Sequence, residues 1–315
     1  MSPFADALVL TGPTGCGKSA WAIRLASSID AEIISMDSMT LYRGMDIGTA
    51  KPTAAERANV PHHLIDVLDP WESANVAWWL ERAELACESI RARGKRPLFV
   101  GGTPFYLTAL LHGLFDAPPA DETLRRRLEA DIERDGSAVV HARLAVIDAS
   151  AARRIHPNDT RRIVRALEVF ELTGQPISSY QTSWDTPAFV SGQSEARPAP
   201  IRCVQLDLPR EVLNERINRR VVAMLDAGWL DECRRLRALE RSLSREAEAA
   251  LGYRELFAYL DDPTADWAEI VETIQLKTRQ FAKRQRTWFR RIPSTVLSAE
   301  EDDLPNRILS AWKMA

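Results

Sequence analysis

Short apolar runs alternate with segments of helical period along the first third of the chain. Runs at 7–10 ("ALVL"), 32–36 ("EIISM") and 97–100 ("PLFV") read as buried strands, and a fourth recurs at 201–208 ("IRCVQLDL"). Segments such as 20–28 and 76–93 carry the helical pattern between them. Alternation of this kind predicts a parallel sheet covered on both faces. Ligands of such sheets bind at the carboxyl ends of the strands. The alternation stops after residue 114. From 115 to 200 the pattern is helical and charge-rich, and it closes in a Pro/Gly/Ser-rich connector at 186–200. Strand signal resumes at 201, and from 210 onward the chain reads as helix. The expected division is therefore a core built from 1–114 and 201–315 and a helical insertion at 115–200.

Composition narrows the classes. The chain has 315 residues, 45% apolar and 27% charged, enough for one large or two modest domains. A formal net charge of −3 excludes a protein that is basic overall, so any nucleic-acid surface must be local. Cys16, Cys87, Cys203 and Cys233 form no CxxC pair, which suggests neither a zinc site nor a disulfide framework. No signal peptide and no run of about 18 apolar residues is evident. A cytoplasmic protein that meets no membrane is expected.

The first apolar run leads into Gly12-Pro13-Thr14-Gly15-Cys16-Gly17-Lys18-Ser19, a match to the P-loop pattern. Glycines let backbone N–H groups converge on phosphate oxygens, and the following helix adds its positive end. Lys18 supplies a cation, and Ser19 offers a hydroxyl to Mg2+. The fold class expected is α/β, a P-loop NTPase-like parallel sheet core with a helical insertion domain. The loop recognises phosphates and does not name a reaction. A P-loop ATPase usually places an acid on an apolar strand, whereas "RPLFVGGTPFY" ends in Gly101-Gly102-Thr103. These glycines serve either close approach of a ligand or a tight turn. Asp37 follows "EIISM" directly and suits a general base, a residue near Mg2+ or a helix N-cap. Cys16, inside the loop beside Lys18, is in a position that favours a reactive thiolate, though a small buried filler fits the same slot.

Two further clusters are basic. "LNERINRRVVAML" sets Arg216 at helical spacing from Arg219 and Arg220. These cations repel unless an anion such as pyrophosphate joins them, or Glu211 and Glu215 pair with them on a solvated face. From 273 to 299 there is no acidic residue, while Lys277, Arg279, Lys283, Arg284, Arg286, Arg290 and Arg291 are interleaved with Phe281, Trp288 and Phe289. Cations with aromatics suit single-stranded RNA. The insertion adds basic runs at 125–127, 153–156 and 161–165.

"GPTGCGKS", "DSMTLYRGMDIGTAKP", "PHHLIDVLDP", "FVGGTPFYLTALLHGL", "RRIVRALEVFELTG" and "ALGYREL" together resemble the tRNA dimethylallyltransferases, also called tRNA isopentenyltransferases. The resemblance runs in order from about residue 8 to about 290. It implies transfer of a five-carbon prenyl group from dimethylallyl pyrophosphate to the exocyclic amine of the adenosine 3′ of the anticodon. It also implies tRNA, through its anticodon stem-loop, as partner and Mg2+ as cofactor, and a monomer is expected. By position, residues 12–19 would surround the pyrophosphate; charge chemistry alone, apart from the resemblance, offers Lys51, Arg216 and Arg220 as further cations for it. Asp37 would be the base, and Thr103 would touch the oxygen between prenyl group and pyrophosphate. Asp37, Ser38, Met39, Thr40 and Thr103 would meet the target nucleotide. Arg125, Arg161, Arg162, Ile163, Val164 and Arg165 fall where the insertion meets tRNA in that family. Gly252, Tyr253 and Arg254 match another tRNA contact, and Lys283, Arg284 and Arg286 add the basic helix. Thr40 stands where the family often has Gln, Ser19 where it often has Thr, and Ala249 and Ala250 offer no polar contact. A small-molecule kinase, an adenylate isopentenyltransferase and an RNA-binding GTPase-like module are the competing readings. The first two leave the insertion and the basic C-terminal segment unused, and against the third no guanine-reading signal is apparent.

Overall fold

The computed structural model of the chain describes residues 3–4, 6–114, 118–180 and 202–313. It divides into two compact units, Met1–Leu111 with Arg197–Ala315, and His112–Ala196. In the first unit the strands are β1 (Leu8–Thr11), β2 (Ala31–Ser35), β3 (His62–His63), β4 (Arg96–Gly101), β5 (Arg202–Asp207) and β6 (Thr295–Ser298). They form one six-stranded sheet in the order β3-β2-β4-β1-β5-β6, parallel throughout. The four strands legible in the sequence sit within a residue or two of the expected runs. Residue 201 and the connector 186–200 lie outside the described residues. The two outermost strands escaped the sequence. One has two residues, and the other exposes Thr295 and Val296 at a sheet edge, which leaves no apolar run to read.

Helices α1 (Lys18–Ile29), α2 (Ala54–Asn59), α3 (Val76–Ala92) and α4 (Pro104–His112) separate the early strands. The second unit is built from α5 (Glu122–Asp135), α6 (Ser137–Ile147), α7 (Ala149–Arg154), α8 (Thr160–Thr173) and α9 (Ile177–Tyr180). The chain then returns through β5 to α10 (Arg210–Asp226), α11 (Trp229–Arg237), α12 (Arg245–Glu248), α13 (Tyr253–Asp261), α14 (Trp267–Phe289) and α15 (Leu304–Lys313). Among the described residues no helix is long and apolar enough to cross a membrane.

Side chains alternate across a strand, and here both faces are apolar. Val9, Ile34 and Phe99 pack with Trp79, Tyr106, Tyr253 and Phe257. Leu10, Ile33 and Leu98 pack with Leu25, Ile217 and Trp312 on the other face. Each large side chain buried this way contributes about 1.5–3 kcal/mol. The helical unit has its own core of Leu128, Val140, Leu144, Ile163, Leu167 and Val169. Strand β1 lies between β4 and β5, so its carboxyl end opens at the point where the strand order reverses.

Candidate active site

The loop after β1 wraps that carboxyl end. Gly12 is buried with φ 148°, and a Cβ there would stand 2.4 Å from the Leu206 carbonyl oxygen, so only glycine fits between β1 and β5. Gly17 closes the loop in the left-handed region and caps α1. Thr11 Oγ1 donates to the Gly101 carbonyl at 2.8 Å, tying the loop's root to the end of β4. Lys18 Nζ donates at 3.4 Å to the Pro13 carbonyl and has no carboxylate partner among the described residues. Ser19 is exposed in the first turn of α1. Cys16 is fully buried, and burial pushes its thiol pKa up, so the reactive thiolate expected from its position is not met. Desolvation outweighs the nearby Lys18 charge.

Asp37 lies just past β2. Its Oδ1 accepts from the Met39 N–H at 2.9 Å, an Asx turn, and no helix follows, so it is not an N-cap. Thr103 Oγ1 accepts from the Ser38 N–H at 3.2 Å, and the Thr103 N–H donates to the Met36 carbonyl at 3.2 Å. The ends of β2 and β4 are thereby stitched together with Asp37 and Thr103 side by side. A Cβ on Gly101 would stand 2.2 Å from the Met36 carbonyl oxygen, so that glycine is required by close strand-end packing. The Thr103 hydroxyl, having accepted from Ser38, retains its own proton for donation. Thr40 is different. It is buried, shares a 2.8 Å hydrogen bond with Ser35 and donates to the Asp37 carbonyl. It shapes the turn and has no hydroxyl left for a base.

The three arginines of α10 separate clearly. Arg216 pairs with Glu300 at 3.4 Å, and Arg219 with Glu215 at 3.6 Å. Arg220 is half-buried and makes no hydrogen bond or ion pair among the described residues. The helix packs on the loop, since a Cβ on Gly15 would stand 3.0 Å from Ile217 and 3.3 Å from Leu213, and Arg220 follows Ile217 by one turn. Burial pushes the Arg220 pKa down, and the Asp37 carboxylate opposes that shift. A desolvated cation without a partner is a site prepared for an anion. Lys51 corrects the sequence reading. Only 2% of its side chain is exposed, and its ammonium is held by Asp46 at 2.7 Å, Asp66 at 2.6 Å and the Tyr42 carbonyl. All three donors are taken, so in this arrangement it braces the segment after Asp37 and has no proton free for an anion. Strand β5 does end in an acid, Asp207, but Arg286 binds its Oδ2 at 2.9 Å.

The metal donors are few. Among the described residues no group of three His, Cys, Asp or Glu could cage an ion. Mg2+ keeps most of its waters and takes one or two protein oxygens plus phosphates, and the exposed Ser19 hydroxyl at the loop fits that demand.

Residues 40–292 match the family described as IPP transferase, and residues 5–65 match the one described as Isopentenyl transferase. The chain is 45% identical over 284 residues to the tRNA dimethylallyltransferase of Shouchella clausii, covering 90% of this chain and 87% of that one. It is 47% identical over 285 residues to the Methylococcus capsulatus tRNA dimethylallyltransferase, covering 90% and 89%. The chain belongs to the IPP transferase family. Its fold resembles the full-length tRNA isopentenylpyrophosphate transferase of Bacillus halodurans, with TM-score 0.67, 37% identity and coverage of 98% and 94%. It also resembles a eukaryotic dimethylallyltransferase acting on tRNA, with TM-score 0.74, 27% identity and coverage of 98% and 78%.

Membership of the IPP transferase family sharpens the reading of the residues outside the loop. In the helical unit Arg125 and Arg165 both pair with Glu168, at 2.9 Å and 2.5 Å, and that carboxylate is fully buried. They compensate an interior charge, where the sequence suggested free cations. Ile163 and Val164 are core residues, and their side chains are closed to any ligand. Arg161 is exposed and unpaired among the described residues, and Arg162 is exposed beside Asp159. Tyr253 is buried and donates to Glu232 at 2.6 Å, while Gly252 lies under the Trp229 ring, where a Cβ would stand 2.0 Å from it. Only Arg254 of that trio is exposed. On α14, Arg286 turns inward to Asp207, whereas Lys283 and Arg284, with Arg291 just past the helix end, line one groove of about 460 Å³ with Gln280, Thr287 and Trp288.

Two residues that sequence reasoning missed hold this unit together. Buried Glu232 accepts from the N–H groups of Asp46 and Ile47 at 2.9 Å and of Gly48 at 3.3 Å. Gln285 is the second. Neither carries a motif signal, because both sit in ordinary charged helical sequence.

Proposed function

We propose that the chain transfers a dimethylallyl group from dimethylallyl pyrophosphate to the exocyclic amine of the adenosine 3′-adjacent to the anticodon in tRNA, giving N6-dimethylallyladenosine. The observation that carries this reading is a P-loop on which the helix of the unpaired Arg220 packs, beside strand ends that set Asp37 and Thr103 together, in a chain of this family. Breaking the allylic carbon–oxygen bond leaves charge on pyrophosphate. The loop N–H groups, Lys18 and Arg220 stabilise it where it develops. Mg2+, held through Ser19, adds charge neutralisation when bound. Thr103 donates its hydroxyl proton toward the bridging oxygen. Asp37 accepts the amine proton as the new carbon–nitrogen bond forms. The adenine must leave its stack to reach these groups, as bases acted on by enzymes generally do.

Arg161, Arg162, Arg254, Lys283, Arg284 and Arg291 are the cations that tRNA phosphates would meet. The reaction belongs in the cytoplasm, and a monomer carries every residue it needs. Incubation with dimethylallyl pyrophosphate and unmodified tRNA, followed by nucleoside mass analysis, tests the reading. One prenyl unit on that adenosine is expected, and an unmodified adenosine would contradict it. Tight binding should weaken as salt rises, because phosphate contacts release counterions. Neutralising Lys283, Arg284 and Arg291 together should flatten the log–log salt slope by about 2, at about 0.7 per contact to a single strand. Donor affinity should stay unchanged. An unaltered slope would place the RNA surface elsewhere.

A further inference from the structure

Gln285 sits near the end of α14, only 3% exposed, in the stretch that turns Lys283 and Arg284 outward. Its side-chain amide spans the active site's two phosphate-side loops. Oε1 accepts from the Thr14 N–H, inside the P-loop, at 2.9 Å. Nε2 donates to the Gly102 carbonyl, one residue before Thr103, at 2.6 Å. The orientation of the amide is fixed by its partners, since one can only donate and the other only accept. A Cβ on Gly102 would meet Gln285 Nε2 at 2.6 Å, the Gly12 carbonyl at 3.3 Å and the Lys18 ammonium at 3.5 Å. The amide therefore lies in the same small space as the loop's cation.

Burying a glutamine is costly unless both ends are hydrogen-bonded, and here both bonds go to backbone groups of the site. A hydrophobic residue at this position would leave the Thr14 N–H and the Gly102 carbonyl without these partners. We infer that Gln285 is a positioning residue that holds the P-loop and the Gly102–Thr103 turn at the spacing required by a bound pyrophosphate ester. By accepting from Thr14 it orients the loop's backbone, and by donating to Gly102 it sets the height of the Thr103 hydroxyl above that loop. The inference rests on the reading of the loop as the site of the prenyl donor.

The test is Gln285→Met, which keeps length and loses both hydrogen bonds. Binding of inorganic pyrophosphate with Mg2+ is followed by titration calorimetry, beside steady-state transfer from dimethylallyl pyrophosphate. The expected result is a rise of about tenfold in pyrophosphate Kd and in donor KM, with the KM for tRNA unchanged. A merely structural glutamine would lower Tm and the active fraction while leaving both donor constants as in the wild type, and that outcome overturns the inference. If the Met variant does not fold, Gln285→Asn keeps a neutral amide and, being one methylene shorter, cannot hold both backbone partners at once. A rise of about threefold or more in donor KM is then expected, and an unchanged KM overturns the proposal. A wild-type chain that binds pyrophosphate yet transfers no prenyl group would instead defeat the functional reading.

Discussion

Asp37→Asn should slow single-turnover prenyl transfer by about 10²–10⁴-fold, the range lost with a positioned general base. The substitution keeps the size of the side chain and the acceptor oxygen that receives the Met39 N–H. The turn should therefore survive, and dimethylallyl pyrophosphate and tRNA should bind as before. The amide cannot take the amine's proton, so the deficit belongs to the chemical step. An Asp37 that only shapes the turn would cost about 1 kcal/mol of stability or less and leave the rate intact. One that orders Mg2+ would be partly rescued by added metal. Single-turnover rates at several Mg2+ concentrations, with Tm measured alongside, separate the three cases.

Arg220→Met should weaken donor binding by about tenfold to 150-fold, the equivalent of about 1.5–3 kcal/mol for hydrogen bonds to a charged group. The same change should leave the stability of the empty protein unaltered or raise it. Arg220 has no anionic partner at contact distance among the described residues, and it is held in a partly desolvated position. Such a charge opposes folding until its anion arrives. A structural arginine would show the reverse pattern, with a lower Tm and intact donor affinity. Arg216 and Arg219 already have Glu300 and Glu215, so their replacement should move donor affinity little. Calorimetric titration of dimethylallyl pyrophosphate and thermal unfolding without ligand decide between these outcomes.

The sheet was legible wherever an apolar run was long enough to be buried on both faces. β1, β2, β4 and β5 all meet that condition. The edge strands do not, since β3 is fixed by pairing with Ile33 and Ile34 and β6 by pairing along β5. The P-loop and Asp37 were legible because a phosphate loop and a strand-end acid are local patterns. Which cation is free was not legible, because freedom depends on distant partners. Lys51 and Arg286 look as available in sequence as Lys18, yet Asp66 and Asp207 claim them. In the same way the pairing of Arg125 and Arg165 with a buried Glu168 cannot be read from the sequence. Gln285 was invisible for the same reason, since Thr14 and Gly102 are 271 and 183 residues away in the chain.

On the proposed function, the loop from Gly12 to Ser19 holds the pyrophosphate of a prenyl donor. Titration of dimethylallyl pyrophosphate and of ATP into the wild type and Lys18→Ala, each with Mg2+ and without other nucleotides, tests it most directly. The wild type should bind the prenyl donor and pass its prenyl group to tRNA with no ATP present. Lys18→Ala should lose about tenfold or more of donor affinity while tRNA affinity holds. A wild type that binds ATP, ignores dimethylallyl pyrophosphate and phosphorylates a small acceptor would contradict it.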